Sequence, residues 1–236
     1  MGSLFQSEIV RCAKLHHEHI AHVYGFNRVK NGVTIAIMEV LQGSLSDVLL
    51  AAQSCGQYLT LREQLDITQD CLEGLNYLHQ LPHQVCHCDI RPTNILLTAD
   101  MKAKLSDLGE ARLTDQVLVR DYVSPERGEH RPLTPATDVF SMGLTMCELF
   151  TGIKATYKLG TREALLKAVE HSVLYDICSQ MMFRTYTMRI SVVDALRGVE
   201  HVMDTPDYWN CPSKRFVKGK VNGAVQVTLI DKPDAW

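Results

Sequence analysis

Apolar residues recur along the chain at the spacing of amphipathic helices, and they predict a mainly helical protein. The clearest helix begins at Thr60, because Thr60-Leu61-Arg62-Glu63 has the form of a capping box. Its leucines then line one face until Pro82 stops the helix. A second helix begins at Thr134-Pro135, an N-cap followed by a first-turn proline, and breaks at Gly152. Further helices are predicted over 162–171, 173–183 and 192–203.

Short strands are predicted between the helices, over 20–25, 33–41, 87–97 and 104–105. Asn31-Gly32 lies between the first two and is typical of a hairpin turn. The tail contains Asn222-Gly223, followed by alternating apolar residues at Val225, Val227 and Leu229, and this pattern predicts a second hairpin. The first fifteen residues are expected to be the end of a helix.

Composition and charge narrow the class of protein. The chain has 236 residues, of which 46% are hydrophobic and 22% charged, as in a globular protein of one large or two small domains. The net charge of −3 gives no reason to expect a nucleic-acid partner. No apolar run approaches the ~18 residues of a membrane span, and the N-terminus does not resemble a signal peptide. We therefore expect a cytoplasmic protein.

Cysteines and histidines suggest metal sites only at first sight. The eight cysteines have no repeating spacing, and reduced thiols are expected. Cys86-His87-Cys88 lacks the second cysteine pair of a zinc site. Four clustered histidines near the N-terminus are better explained by a solvated loop than by a metal, namely His16, His17, His19 and His22.

Polar residues between the helix from Thr60 and the following strands suggest phosphoryl transfer. This chemistry needs a carboxylate to orient the attacking hydroxyl, ligands for Mg²⁺, and a positive charge beside the phosphate. Asp89 can be the carboxylate, and Arg91 can supply the charge. Asn94 and Asp107 can supply oxygen ligands to Mg²⁺, a hard cation. The alternative, that these are ordinary turn and cap residues, does not explain two motifs in register.

At these motifs the chain resembles the protein kinase family, most closely its tyrosine-kinase and tyrosine-kinase-like branches. His87-Cys88-Asp89 is similar to the family's His-Arg-Asp, and Asp107-Leu108-Gly109 to its Asp-Phe-Gly. Ser124-Pro125-Glu126 is similar to Ala-Pro-Glu. The resemblance implies structural roles for His87, for Asp138, which would hold the catalytic-loop backbone, and for Arg189, which would pair with Glu126.

The resemblance extends upstream to the nucleotide side of the family's active site. Glu8 falls on the glutamate of the regulatory helix. Met38-Glu39-Val40-Leu41 resembles the gatekeeper and hinge, so Met38, Glu39 and Leu41 are expected to bind adenine. The resemblance implies ATP and Mg²⁺ as cofactors and a protein substrate or signalling partner. Its motifs leave Ser/Thr against Tyr specificity open.

The expected fold is α+β, mainly α, and similar to protein kinases, with a complete helical large lobe and a partial small lobe. Residues 1–41 would be the remnant of the small lobe, 42–203 the large lobe and 204–236 a tail. Only four residues precede Phe5, so the family's glycine-rich loop and strand lysine are not found. Two small-lobe strands alone would expose apolar surface. We therefore expect weak or no transfer by this chain, and a pseudokinase-like binding module is the alternative.

Overall fold

Helices dominate the part of the chain that the computed structural model describes. The described residues are 14–28, 34–56, 58–108, 121–129, 131–155, 161–169, 174–205, 215–221 and 224–230. The helices are α1 (Leu45–Cys55), α2 (Leu61–Gln80), α3 (Pro125–Gly128), α4 (Pro135–Thr151), α5 (Thr161–Val169), α6 (Tyr175–Met181) and α7 (Val192–Asp204). The strands are β1 (Val23–Arg28), β2 (Thr34–Met38), β3 (Gly43–Ser44), β4 (Ile95–Leu97), β5 (Ala103–Leu105), β6 (Arg215–Val221) and β7 (Ala224–Ile230). The expected α+β, mainly α architecture is confirmed.

The two principal helices begin where the sequence predicts. In α2, the Thr60 hydroxyl accepts from the backbone N–H of Glu63, whose carboxylate accepts from the N–H of Thr60. At the start of α4, Thr134 is the N-cap ahead of Pro135, and Gly152 ends the helix in the left-handed conformation. Both predictions are confirmed, because caps depend on residues that are close in sequence.

Helix α4 is the centre of the core. Nearly all of its residues are buried, and α2, α5 and α6 pack around it. The leucine face of α2 is buried against this core and against β5, through Leu65, Leu72, Leu75 and Leu78. The buried residues of α4 include Asp138 and Glu148, which therefore need hydrogen-bond partners within the protein. Helix α4 gives the neighbouring loops a rigid support.

The strands form small antiparallel sheets. One has the order β3-β4-β5, with Gly43 paired to Leu97 and Ile95 to Leu105. The sheet of β1 and β2 is joined to it near residue 20, where Ala21 N–H donates to the Leu105 carbonyl at 2.9 Å. Several large apolar side chains on β1 and β2 are exposed, as expected, and include Tyr24, Ile35 and Ile37.

The loop that precedes β1 packs closely on α2. A Cβ atom on Gly74 would lie 2.8 Å from the His19 carbonyl oxygen, so this contact requires glycine. The expectation of a solvated histidine loop is wrong for His19, which is only 4% exposed. The loop is drawn onto the protein because Leu105 N–H donates to the His19 carbonyl at 2.9 Å.

Strand bounds differ more from the predictions than helix bounds do. The strand predicted over 87–97 is restricted to β4, because 92–94 form a 3₁₀ turn and 86–91 make no ladder. The hairpin predicted in the tail is confirmed, with Val221 paired to Ala224. Asn31-Gly32, Asn222-Gly223 and the helix end expected before residue 14 lie outside the described residues.

Two sequence expectations about chemistry can be checked at this level. Within the described ranges, each cysteine is a free thiol, including the buried Cys71, Cys147 and Cys178. No helix in the described part of the chain is both long and apolar enough to cross a membrane.

Candidate functional site

The loop between α2 and β4 is fastened to the central helix by one buried carboxylate. Asp138, on α4, accepts hydrogen bonds from the backbone N–H groups of His87 and Cys88 at 2.8 and 2.7 Å. The Nε2 atom of His79, at the end of α2, lies 2.8 Å from the same carboxylate. Asp138 therefore fixes the loop and the end of α2 to the most buried helix in the described chain.

Asp89 and Asn94 meet at the mouth of this loop. The Asn94 side-chain amide donates to the Asp89 carboxylate at 2.7 Å and to the Asp89 carbonyl at 2.9 Å. Both hydrogen bonds use Nδ2, whereas the Asn94 Oδ1 atom accepts from the Thr93 hydroxyl at 3.2 Å and keeps a second lone pair. Asn94 is buried and Asp89 is partly exposed, so one Asp89 oxygen can face a ligand.

Arg91 lies beside the same carboxylate. Its Nη1 atom is 3.9 Å from Asp89 Oδ1, and its guanidinium carbon is 5.9 Å from the centre of the Tyr122 ring. This is a long ion pair combined with a weak cation–π contact. The guanidinium therefore stays next to Asp89 without forming a short bidentate pair with it.

Asp107 reaches the site from the end of β5. The preceding residue, Ser106, donates from both its N–H and its hydroxyl to the Asn94 carbonyl, at 2.9 and 3.1 Å. Asp107 itself has φ 63° and an exposed side chain. The structure thus brings the backbone of 106–107 next to Asn94. Gly109, the last residue of the motif, lies outside the described residues.

Cys88 occupies the position that is arginine in the resembling family. Its φ is 65°, and its side chain is buried. A hydrogen bond with the Cys86 thiol, together with burial, raises the pKa of the Cys88 thiol far above its usual value. The Arg127 guanidinium donates to the Cys88 carbonyl. Cys88 is therefore a neutral group that cannot form a charge-assisted contact with a phosphate.

Glu126 and Arg189 form a buried bidentate ion pair behind the site. Both distances between guanidinium nitrogens and carboxylate oxygens are 2.7 Å. Burial opposes ionisation of Glu126, but the guanidinium and its hydrogen bonds outweigh it and hold the pKa of Glu126 below its usual value. The pair joins α3 to the segment that precedes α7.

The residues expected to meet adenine lie at the end of β2 and in the segment that follows it. Met38 ends β2 and is partly exposed, and Leu41 is half-buried. The Glu39 carboxylate accepts from the Lys104 ammonium at 3.0 Å and from the His22 N–H at 2.6 Å. Burial opposes its ionisation, but these hydrogen bonds hold the pKa of Glu39 below its usual value.

Glu8 lies outside the described residues.

Three contacts of the site were not found by sequence reasoning. His79 contacts Asp138, Lys104 pairs with Glu39, and the Tyr122 hydroxyl donates to the buried carboxylate of Glu148. Each joins residues that are far apart in sequence, and no local pattern identifies such partners.

Comparison with known proteins gives one family. The sequence model of the protein kinase domain matches residues 2–201 of the chain. Among plant relatives from Arabidopsis thaliana, the probable L-type lectin-domain containing receptor kinase VI.1 is 31% identical, with 97% of this chain and 34% of that protein covered. The proline-rich receptor-like protein kinase PERK7 is 32% identical over 84% of this chain and 31% of its own length.

A third relative has a shorter match of higher identity. The putative L-type lectin-domain containing receptor kinase V.1, also from Arabidopsis thaliana, is 35% identical over 64% of this chain and 24% of its own length. The chain thus spans between 24% and 34% of these three relatives.

Proposed function

Because the chain belongs to the protein kinase family, we propose that it carries the catalytic-loop side of an ATP:protein phosphotransferase. The reaction would move the γ-phosphoryl group of ATP to a hydroxyl group of a protein substrate, with Mg²⁺. We propose residues 1–41 as the small-lobe part, 42–203 as the large lobe and 204–236 as a separate tail. A cytoplasmic location is part of the same proposal.

The observation that carries the proposal is the contact between Asp89 and Asn94. The 2.7 Å hydrogen bond from the Asn94 amide orients one oxygen of Asp89 and leaves the other for a substrate hydroxyl. A carboxylate in this place can accept the hydroxyl proton as the phosphoryl group is transferred. Arg91, 3.9 Å from Asp89, would offset negative charge on the transferred group.

The donor atoms of the site fit Mg²⁺. The Asn94 Oδ1 atom and the Asp107 carboxylate are both oxygens, the ligand type that Mg²⁺ prefers. Ser106 ties the backbone before Asp107 to the Asn94 carbonyl, so the two ligands belong to one hydrogen-bonded unit. When bound, Mg²⁺ would neutralise charge on the ATP phosphates.

The nucleotide base would lie at the segment between β2 and β3. We propose that Met38, Glu39 and Leu41 contact adenine there. The Lys104 ammonium and the His22 N–H hold the Glu39 carboxylate, which keeps the backbone of this segment in one position. Glu8 would contribute from the regulatory helix.

Mutations can separate binding of ATP from transfer. With Mg²⁺ and saturating ATP, a bound nucleotide should raise the melting temperature of the full chain, since ligand at 100 times its Kd stabilises by about 2.7 kcal/mol. Asp107→Asn should abolish this shift. Asp89→Asn should keep it, but should lower phosphorylation of a generic protein substrate by about 10²–10⁴-fold. Asp176→Asn, an exposed change on α6, is the matched control and should behave as the parent chain.

The second candidate is a binding module that turns over nothing. It is favoured by Cys88, a buried and neutral thiol in the position of the family's catalytic-loop arginine, which cannot form a charge-assisted contact with a phosphate. This candidate predicts that Mg²⁺ and ATP do not change the melting temperature of the parent chain, of Asp89→Asn or of Asp107→Asn. It also predicts that none of the three proteins transfers a phosphoryl group. That result would refute the enzyme for this chain.

A further inference from the structure

A buried histidine outside the proposed active site faces a set of carboxylates. His19 lies in the loop before β1, and its Nδ1 atom is 3.1 Å from the Ala103 carbonyl oxygen. A carbonyl can only accept, so Nδ1 carries the hydrogen and, in neutral imidazole, Nε2 presents a lone pair. His19 is 4% exposed, so bulk water does not surround this ring.

The Nε2 atom lies close to three carboxylate oxygens. It is 3.2 Å from Glu73 Oε2, 3.4 Å from Glu18 Oε1 and 3.6 Å from Asp70 Oδ1. A lone pair and three anionic oxygens repel one another unless a positive charge lies among them. Either a proton on Nε2 or a metal cation has to supply that charge.

Asp70 already has other partners. Its Oδ2 atom accepts from the Ala103 N–H at 2.8 Å, and Lys102 Nζ lies 3.6 Å from Oδ1. Glu18 and Glu73 have no lysine or arginine partner among the described residues. Among the residues that the structure describes, one imidazole nitrogen and these two carboxylates therefore face one another without a cationic side chain.

We propose that His19, Glu73 and Glu18 bind a zinc ion. Their ligand atoms all lie within 4.8 Å of one another. Tetrahedral zinc with bonds of about 2.05 Å separates its ligands by about 3.3 Å, and the Nε2 distances to the two glutamates are 3.2 and 3.4 Å. Water would complete the coordination.

The surroundings of the ligands match those of metal sites. Ligating histidines usually donate their other ring N–H to a carbonyl or carboxylate, as His19 Nδ1 does to Ala103. Gln69 donates to Glu73 Oε1 at 3.0 Å, which orients Oε2 toward His19. Since Glu73 is on α2 and Glu18 and His19 are in the loop, the ion would fasten the loop before β1 to the large helix.

Calorimetry on the full chain tests the site. The protein is treated with EDTA, dialysed and titrated with zinc chloride. In a second titration Co²⁺ replaces zinc, because the visible absorption of bound Co²⁺ reports tetrahedral nitrogen and oxygen ligands. Glu18→Gln changes a side chain that is 80% exposed, so the fold is expected to tolerate it. Glu73→Gln removes the second carboxylate. Glu163→Gln, on the exposed face of α5, is the matched control.

The expected result is one tight equivalent of zinc in the parent chain and in Glu163→Gln. Its Kd should rise at least about 10-fold in Glu18→Gln and more in Glu73→Gln, with loss of the Co²⁺ bands. Equal zinc affinity in all four proteins would overturn the proposal, because the metal would then be bound elsewhere. Absence of tight zinc binding by the parent chain would also overturn it.

Discussion

Replacing Arg189 with methionine removes the guanidinium that neutralises a buried carboxylate. The Arg189 side chain is fully buried, and it makes two 2.7 Å hydrogen bonds to Glu126. It also donates to the carbonyl oxygens of Ala136 and Phe183, each at 2.7 Å. Methionine is of similar length and would still pack on the ring of Phe140, which lies 4.7 Å from the guanidinium carbon. The substitution therefore tests charge and hydrogen bonding more than volume.

The magnitude follows from the groups that are left behind. Removing one member of a buried ion pair costs about 3–5 kcal/mol, because the remaining charge is buried without compensation. Each orphaned carbonyl adds about 1 kcal/mol where water does not replace the donor. We expect Arg189→Met to lower the free energy of unfolding by about 5 kcal/mol, comparable to the whole stability of a marginal domain. Arg189→Lys should lose less, since it keeps the charge but not the bidentate geometry.

The loss should depend on pH in a defined direction. The pKa of Glu126 is held below its usual value in the folded parent chain, so its stabilising contribution is present above the unfolded value of about 4.3 and is lost as pH falls through the folded value. In Arg189→Met the hydrogen bond from the Thr137 hydroxyl remains, but the guanidinium no longer opposes burial, which has the largest effect on Glu126 and raises its pKa. Protonation of Glu126 then removes the unpaired buried charge from the variant. The difference in the free energy of unfolding between the parent chain and Arg189→Met should therefore shrink from about pH 7 to about pH 4.5.

Urea unfolding followed by circular dichroism measures these differences on the full chain. The matched control is Arg131→Met, since Arg131 and Glu129 form a 2.9 Å ion pair with both side chains more than half exposed. Such surface pairs contribute about 0–1 kcal/mol. If Arg189→Met cost no more than this control, or cost the same at both pH values, the attribution to a buried ion pair would be refuted.

Two further predictions concern the carboxylates of α4. Asp138→Asn leaves one N–H of His87 or Cys88 facing an amide NH₂, and should lower the free energy of unfolding by about 3 kcal/mol. Hydrogen exchange should show lost protection at these two backbone amides. Unchanged protection would contradict the anchoring role of Asp138. Burial raises the pKa of Glu148, so the folded protein favours the protonated carboxyl. The stability that this protonation contributes is present at low pH and is lost as pH rises through the pKa of Glu148 in the folded protein. Tyr122→Phe removes a donor to that carboxylate and should therefore lower the free energy of unfolding by about 1–3 kcal/mol. In urea titrations the loss should be larger at about pH 8 than at about pH 5, and an equal loss at both pH values would contradict this prediction.

Helices were predictable because their signals are local. The Thr60 capping box needs only Glu63, and Thr134-Pro135 and Gly152 mark both ends of α4. Strand β3 is the opposite case, since two residues carry no alternation. Gly43 and Ser44 form a strand only because β4 lies alongside them, 52 to 54 residues further along the chain. Such pairing depends on the tertiary fold and is not encoded in the two residues themselves.

The candidate site shows the same contrast between local signals and long-range contacts. Residue types and spacing predict Asp89, Asn94 and Asp107 as site residues, because short motifs carry them. The contacts that orient site residues join distant segments, as in the 65-residue separation between Glu39 and Lys104. A single lysine in a short strand gives no sign that it will meet a carboxylate from the segment after β2.

The backbone of the site explains why long-range contacts are needed there. Cys88 and Asp107 have φ of 65° and 63°, a conformation that costs a residue with a Cβ atom about 1–2 kcal/mol. Asp tolerates this region better than most residues, whereas Cys is not among the residues that favour it. What holds Cys88 is a hydrogen bond at each side of the residue: its N–H donates to Asp138 at 2.7 Å, and its carbonyl accepts from Arg127. Both partners come from elements beyond β5, so the shape of the loop depends on the packing of α3 and α4 against it.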